Sequence, residues 1–194
     1  MYILAGRLMY SFFSGATKAA MRSIRVNGAM IKKVYVPKYI YPLTRIMSSL
    51  INMLISLIPL AAVAIFSGLL PNKTYFLLPF PLLCLALFCL GLGMLLASAM
   101  VFFRDIQFLW GVLITIWTYL TPIFYPVSAL PDSVQVIVKM NPLYFYVTFL
   151  RSCVMDGLSP EPIMYVQCAL IALVMLAVGA FTFKKSQDNF VLYL

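Results

Sequence analysis

Long apolar stretches alternate with short basic segments along the chain. A helix that crosses the hydrocarbon core of a bilayer needs about 20 mostly apolar residues. Four stretches meet this requirement almost without charge, at residues 46–70, 75–102, 108–127 and 160–183. Residues 1–26 are also apolar, but Arg7 and Lys18 interrupt them, which predicts the inner part of a further span. The pattern therefore predicts an all-α integral membrane protein with about five spanning helices.

The basic segments predict how these spans are oriented. Residues Arg7 to Arg45 contain eight Lys or Arg and no acid. When the predicted spans are threaded through a membrane, the short segment Phe102–Gln107 and the terminal segment Lys184–Asn189 fall on the same side. Loops on the cytoplasmic side of membrane proteins collect Lys and Arg. We therefore expect these segments, and the C terminus, in the cytoplasm.

Residues 128–159 are too apolar for a solvated loop and too broken for one membrane span. Pro122 and Pro126 interrupt the end of the preceding helix, because proline lacks an N–H and clashes with the carbonyl one turn back. A short helix is predicted to begin near Pro131, with Val134, Ile137 and Val138 on one of its faces.

A second short helix is predicted to follow it. Asn141 is a favourable N-cap and Pro142 suits the first helical position, so the helix should begin there. It should run to about Asp156, with Gly157 as its stop. Two short apolar helices on the outer side indicate re-entrant or interfacial elements, since broken backbone at membrane depth is tolerated where protein buries it or water reaches it.

Composition supports the membrane class. The chain has 194 residues, of which 64% are hydrophobic and 10% are charged, whereas soluble domains have about 45–50% and about 25%. The formal net charge is +9, from 14 Lys+Arg and 5 Asp+Glu. The orientation of the spans accounts for this excess, so we expect no nucleic acid partner.

Residue types that could support catalysis or bind a metal or a nucleotide are scarce. The chain has no histidine, and its five acids are scattered outside the predicted spans without forming an acid–base pair. We therefore expect no catalytic site, no metal and no cofactor on this chain. It also lacks a G-x-x-x-x-G-K-[ST] motif for nucleotide phosphates and the intramembrane acids of proton-coupled transport. This absence indicates a partner ATPase as the energy source.

The four cysteines show no metal-ligand spacing. We interpret them as small buried apolar residues. A disulfide between Cys153 and Cys168 is the alternative for that pair.

Four segments occur in order at characteristic spacings: "NGAMIKKVYVPKYIYPLTR" (27–45), "GLGMLLASAMVFFRDIQ" (91–107), "WTYLTPIFYPVSALP" (117–131) and "MNPLYFYVTFLR" (140–151). Together they resemble the ABC-2 type transporter permeases that export polysaccharides, the O-antigen and teichoic acid group. The resemblance covers essentially the whole chain and implies a single type V-like permease domain over residues 1–194. Family members usually carry an N-terminal amphipathic helix and a first span, so we expect this chain to be short at its N terminus.

The resemblance also implies partners. The permease would form a homodimer in the bacterial cytoplasmic membrane, in contact with membrane lipid. Each copy would dock a separate ABC ATPase subunit, which would hold ATP and Mg²⁺. The substrate would be a polysaccharide or a lipid-linked glycan.

The same resemblance assigns residues 27–45 to the contact with the ATPase, with a coupling helix at Ile31–Tyr41. The candidate coupling residues are Ile31, Lys32, Lys33, Tyr35, Pro37 and Lys38. The alternative is that these lysines only follow the positive-inside rule.

The turn between the second and third apolar spans supplies two further candidates. Arg104 and Asp105 are candidates for the cytoplasmic mouth of the channel. The alternative is that Arg104 anchors at the headgroups and Asp105 caps the next helix.

Aromatic residues near the outer end of the next span are candidates for contact with a passing polymer: Trp117, Tyr119 and Tyr125. Aromatic faces stack on sugar rings, and tyrosine hydroxyls bind sugar hydroxyls. The alternative is that these residues belong to an aromatic belt at the membrane interface, where Trp and Tyr are enriched without any ligand. Trp117 and Tyr119 cannot both face a pore, because residues two apart lie on different sides of a helix.

In the outer segment the candidate gate residues are Asn141, Pro142 and Arg151. Arg151 lies in an apolar stretch, where a cation is costly unless it is paired or hydrated. The possible partners are Asp156, Glu161 and anionic lipid headgroups.

The leading hypothesis is an export permease for a polysaccharide. The alternatives are an ABC-2 permease for a lipid or a drug, a polytopic membrane enzyme of glycan assembly, and a structural membrane subunit. The scattered acids argue against the enzyme.

Reversing two charges tests the coupling assignment. We expect the Lys32→Glu, Lys33→Glu double variant to lose about tenfold in affinity for the ATPase subunit, because it opposes the sign of the docking surface. Co-purification of the two subunits measures this, with Lys139→Glu as the control. Unchanged co-purification of the double variant would remove the coupling role from these lysines.

Overall fold

Helices form the regular structure of the described part of the chain. The structure is a computed structural model that describes residues 1–34, 36–67, 73–127 and 130–193, without the side chains of Lys73, Asp156, Val191 and Leu192. In chain order the helices are α1 (Tyr2–Val26), α2 (Gly28–Ile31), α3 (Ile40–Phe66), α4 (Pro79–Phe102), α5 (Ile106–Leu120), α6 (Asp132–Lys139), α7 (Pro142–Arg151), α8 (Pro162–Ser186) and α9 (Phe190–Tyr193). The predicted all-α fold class is confirmed.

Three helices in the described part of the chain are long and apolar enough to cross a membrane. They are α3, α4 together with the 3₁₀ turn before it, and α8. The protein is therefore a multi-pass membrane protein. The span predicted at 108–127 is shorter than expected, because α5 ends at Leu120. Thr121 precedes Pro122 and is extended, with ψ 129°, as expected for a residue before proline.

Helix α4 lies at the centre of the bundle. It is apolar on all sides and most of it is buried, which is the expected environment for such a helix. It packs against α8 on one side and α1 on another. By contrast, α3 and α8 are mostly exposed although they are equally apolar. Their outward faces have the composition of surfaces that contact lipid tails.

Two glycines allow α4 and α8 to approach until their backbones touch. A Cβ atom added at Gly179 would lie 1.9 Å from the carbonyl oxygen of Gly91, and one added at Gly91 would lie 2.2 Å from that of Met175. Small residues permit such close crossings in membrane helices. Gly91 and Gly179 are therefore the residues that set the distance between α4 and α8.

Helix α1 is a continuous helix of 25 residues, about 37 Å long. It is therefore longer than the inner part of a span that was expected for residues 1–26. One face is apolar and buried against α3 and α4, with small residues such as Ala16 and Ala20 at the contacts. The opposite face carries the exposed polar residues Arg7, Ser11, Lys18 and Arg22.

A cluster of aromatic rings links α1, α4, α5 and α7. Phe13 is fully buried, and its ring centroid lies 6.2 Å from that of Phe88 on α4, 6.3 Å from Trp110 and 5.3 Å from Trp117 on α5. The ring of Phe88 in turn lies 6.1 Å from that of Tyr146 on α7. This cluster holds α5 and α7 against the central pair α1 and α4.

The basic segments gather at one end of the bundle, which we call the basic end. An apolar cluster joins them there, and it contains Ile24, Ile31, Tyr41, Met94, Ala97, Val101, Phe183 and Phe190. The opposite end carries α6 and α7, and we call it the α6–α7 end. The structure therefore brings together the connector after α1, the turn after α4 and the end of α8.

Gly179→Ala tests the tight crossing of α4 and α8. The added methyl group would overlap the backbone of Gly91, so we expect a loss of about 1–3 kcal/mol in the free energy of unfolding. Thermal unfolding of the purified protein in detergent measures this. Gly111→Ala on α5 is the control, because a Cβ atom there meets nothing within 4 Å. Equal stability of the two variants would contradict the crossing.

Candidate functional site

The connector between α1 and α3 is not the continuous coupling helix expected at Ile31–Tyr41. Helix α2 ends at Ile31, and α3 begins at Ile40. The described residues between them form turns and irregular backbone. Pro37 explains this difference, because it has no N–H for a helical hydrogen bond and disfavours helical backbone at Val36.

The candidate coupling residues differ in exposure. Ile31 is buried in the apolar cluster of the basic end. Lys32, Lys33 and Pro37 are exposed, and Tyr35 lies outside the described residues. The exposed members form a basic surface on the connector, and Ile31 anchors it to the bundle.

Lys38 joins the connector to the end of the chain. Its ammonium group donates a hydrogen bond of 2.5 Å to the carbonyl oxygen of Gln187. The same group lies 5.9 Å from the centre of the Phe190 ring, within the range of a cation–π contact. The connector and the C-terminal segment are therefore held as one unit.

Arg104 and Asp105 lie in the exposed turn between α4 and α5, at the basic end. Asp105 occupies the N-cap position of α5, but its side chain makes no capping hydrogen bond. Helix capping therefore does not account for this carboxylate.

Trp117 lies inside the bundle. Its ring packs against those of Phe13 and Trp110, and its indole N–H donates a hydrogen bond of 2.9 Å to Oδ1 of Asn141. These contacts give Trp117 a structural environment that joins α1, α5 and α7.

Tyr119 and Tyr125 lie on the outside. Tyr119 is 71% exposed, on the side of α5 away from Trp117, as their spacing requires. The Tyr125 hydroxyl donates a hydrogen bond of 2.6 Å to the carbonyl oxygen of Tyr119. Of the three candidate aromatics, Tyr119 is therefore the one with an exposed ring, whereas Tyr125 is half-buried, as Trp117 is.

Asn141 and Pro142 begin α7 as predicted. Oδ1 of Asn141 accepts a hydrogen bond of 3.0 Å from the N–H of Leu143, and Pro142 occupies the first turn. The amide nitrogen of Asn141 donates to Oγ1 of Thr121 at 3.0 Å. The cap thus also ties α7 to the end of α5, a second role that spacing along the chain could not reveal.

Arg151 has no carboxylate partner among the described side chains, contrary to one expectation. Its guanidinium donates to the carbonyl oxygens of Pro122 at 2.8 Å, Ile123 at 3.1 Å and Tyr2 at 3.2 Å. The expected partner Glu161 is exposed, and the side chain of Asp156 lies outside the description.

The place of Arg151 in the bundle explains these contacts. The residue is only 7% exposed, and its guanidinium carbon lies 3.4 Å from the centre of the Tyr2 ring. Gly6 leaves the space it needs, since a Cβ atom there would lie 2.6 Å from the guanidinium. The backbone after α5 is not helical, so its carbonyl groups need other donors. Arg151 supplies these donors. It thereby holds α1, α7 and the non-helical segment after α5 together.

A groove of about 450 Å³ lies between α1 and α3. Its lining includes a set of polar residues in the middle of both helices: Arg7, Ser11, Ser49, Asn52 and Ser56. The hydroxyls of Ser49 and Ser56 donate to carbonyls of their own helix. The guanidinium of Arg7 and the amide of Asn52 have no partner in the described part of the chain. They are therefore available to water or to a ligand.

The polar lining continues along α1 toward the basic end. Arg7, Ser11, Lys18 and Arg22 recur at helical spacing on one exposed face. On α3, Ser49, Asn52 and Ser56 recur in the same way. In the sequence Arg7 and Lys18 stood out only as interruptions of an apolar stretch, although the spacing of three, four or seven positions between these polar residues is a signal of shared helix faces.

The cysteines and metal ligands form no site. Cys84, Cys89, Cys153 and Cys168 are buried and free, so Cys153 and Cys168 are not joined by a disulfide. No group of three or more His, Cys, Asp or Glu that could hold a metal occurs among the described residues.

Arg151→Met tests the brace at the α6–α7 end. The variant leaves the carbonyl groups of Pro122 and Ile123 without their donor, so we expect a loss of about 1–3 kcal/mol in the free energy of unfolding. We also expect faster hydrogen exchange in α6 and α7. Arg104→Met is the control, because it removes an exposed arginine. If both variants unfold alike, Arg151 is not a brace.

Comparison with known proteins places the chain in a family. The sequence profile of the ABC-2 type transporter family matches residues 1–155. The chain is 24% identical over 191 residues to the O-antigen export system permease protein RfbA of Myxococcus xanthus, which covers 97% of this chain and 74% of that protein. It is also 24% identical over 183 residues to the protein of the same name from Klebsiella pneumoniae, with 92% and 70% covered. Together with the all-helical membrane fold, the match over 1–155 shows that this chain belongs to the ABC-2 type transporter family.

Proposed function

We propose that the chain is the permease subunit of an exporter that moves a lipid-linked, O-antigen-like glycan across the bacterial cytoplasmic membrane. The observation that carries this proposal is the polar groove between α1 and α3. Polar and cationic side chains within membrane helices are costly unless they face water or protein. Arg7, Ser11 and Asn52 are exposed to the groove rather than buried, so the groove forms part of the wall of a hydrated path.

The chemistry of the groove suits a glycan joined to a phosphate carrier. Serine hydroxyls and the Asn52 amide exchange hydrogen bonds readily with sugar hydroxyls. The cations Arg7, Lys18 and Arg22 follow one face of α1 from the groove toward the basic end. Phosphate groups pair favourably with such cations. Tyr119, whose ring is exposed, and the half-buried Tyr125 would contact the polymer near the α6–α7 end.

The basic end faces the cytoplasm in this proposal, with the C terminus on the same side. The positive-inside rule supports this orientation. An ABC ATPase subunit, which carries ATP and Mg²⁺, docks on the exposed surface formed by Lys32, Lys33 and Pro37. Because Lys38 holds the C-terminal segment, movement of the connector would also move the end of α8.

A second copy of the chain completes the path. The outward face of α5 carries exposed apolar residues at helical spacing, among them Phe108, Val112, Ile116 and Tyr119. This face is continuous with the accessible aromatics. We assign it to the homodimer, in which two copies enclose the route between them.

Cysteine modification tests the groove during transport. The four native cysteines are buried, so a charged, membrane-impermeant thiol reagent reports on new cysteines. We expect it to modify Ser56→Cys at least tenfold faster than Ile58→Cys, which is exposed on the opposite face of α3. In proteoliposomes with the ATPase subunit, modification of Ser56→Cys should block export of a lipid-linked glycan.

Each outcome of this experiment decides one part of the proposal. Equal modification rates at the two positions would show that the groove does not face water. Rapid modification of Ser56→Cys with undiminished export would place the route elsewhere. A chain that binds the ATPase and moves a lipid or a drug, but not the glycan, would refute the assigned cargo.

A further inference from the structure

A second pocket, of about 520 Å³, lies at the basic end. The connector contributes Val36–Tyr39, α4 contributes Met94, and the end of α8 with the following 3₁₀ turn contributes the rest, from Ala180 to Asp188. Its volume is in the range of about 300–1,000 Å³ that small-ligand sites have. It is separate from the groove between α1 and α3.

The pocket has an apolar part and a polar part. Met94, Ala180 and Phe183 form the apolar part, and Phe183 and Met94 are buried in the bundle. The polar part begins at the next residue of α8, Lys184. This step from apolar to cationic residues is where a membrane helix leaves the hydrocarbon for the headgroup region. The pocket therefore lies at the depth of phospholipid headgroups and glycerol.

The charges in the polar part have both signs. Lys38 and Lys184 supply two ammonium groups, and Asp188 supplies one carboxylate. No ion pair joins Asp188 to either lysine in the described part of the chain. Lys38 donates one of its three N–H groups to the carbonyl oxygen of Gln187, so two donors remain for a ligand. The pocket thus offers donors for an anion beside an acceptor for a cation.

We propose that this pocket binds phosphatidylethanolamine. The lipid phosphate would lie between Lys38 and Lys184, its primary ammonium would donate to Asp188, and its acyl chain would begin along Met94 and Phe183. Basic pockets between membrane helices are typical sites of lipid headgroups. Phosphatidylcholine has the phosphate but no N–H to donate, and phosphatidylglycerol has no cation for Asp188.

Binding would join the connector to the end of α8 through the lipid, in addition to the direct bond from Lys38. The lipid acts as a structural ligand that stabilises the basic end. This inference does not depend on which cargo the protein moves.

Lipid binding to the purified full chain tests the site. We expect native mass spectrometry to show retention of phosphatidylethanolamine about tenfold better than phosphatidylcholine with identical acyl chains, since one hydrogen bond between charged groups is lost. Phosphatidylethanolamine should also raise the Tm in detergent more than phosphatidylglycerol does. The soluble headgroup, O-phosphoethanolamine, should bind at least tenfold more weakly than the lipid, because it cannot use the apolar part.

Matched variants locate the binding. We expect Lys184→Gln and Asp188→Asn each to weaken phosphatidylethanolamine binding about tenfold. Lys185→Gln removes the same charge from a neighbouring exposed residue that does not line the pocket, and it should bind as the unmodified chain does. Equal retention of the ethanolamine and choline lipids would refute the headgroup assignment. An equal loss in Lys184→Gln and Lys185→Gln would show unspecific attraction and refute the site.

Discussion

The non-helical backbone after α5 has carbonyl groups that need hydrogen-bond donors, and the arrangement of the α6–α7 end depends on supplying them. Within a membrane, a carbonyl group that leaves a helix must find a donor in the protein or in water. The prolines after α5 end that helix, and Arg151 answers the demand by donating to Pro122 and Ile123. Its third acceptor is Tyr2, so the start of α1 depends on the same guanidinium. The guanidinium of Arg151 thus stabilises both the non-helical segment after α5 and the helices that pack around it.

The bundle presents three surfaces of different chemistry around the apolar helix α4. Large parts of α3 and α8 are apolar and exposed, which suits lipid. The groove between α1 and α3 combines apolar walls with the polar residues Arg7, Asn52 and three serines, and none of the described acids lines it, which suits a hydrated path. The basic end is a layer of lysines and arginines over an apolar cluster. In the proposed function these three surfaces would contact lipid, the cargo and the ATPase subunit.

Local rules predicted the features that depend on neighbouring residues. Asn141 and Pro142 begin α7, and Gly157 at φ 62° stops the π-helical turn Ser152–Asp156 that continues it, because caps and prolines act on the adjacent turn. The proline breaks after α5 were predicted for the same reason. At the connector the family resemblance implied a continuous helix, and the local effect of Pro37 explains why the helix is interrupted. For Arg151 the sequence suggested carboxylates or lipid headgroups as partners and gave no sign of the backbone carbonyls that its guanidinium contacts.

The sequence by itself determined the membrane class, the helical fold and the end of the bundle that carries the basic segments, because these follow from hydrophobicity and charge summed over many residues. Tertiary structure alone decided which polar residues share a groove and which aromatics are accessible. Arg7 and Asn52 line one groove only because α1 packs against α3, and Trp117 binds Asn141 only because α7 packs beside α5. Contacts between distant segments depend on how whole helices pack, and spacing along one helix cannot encode the position of another.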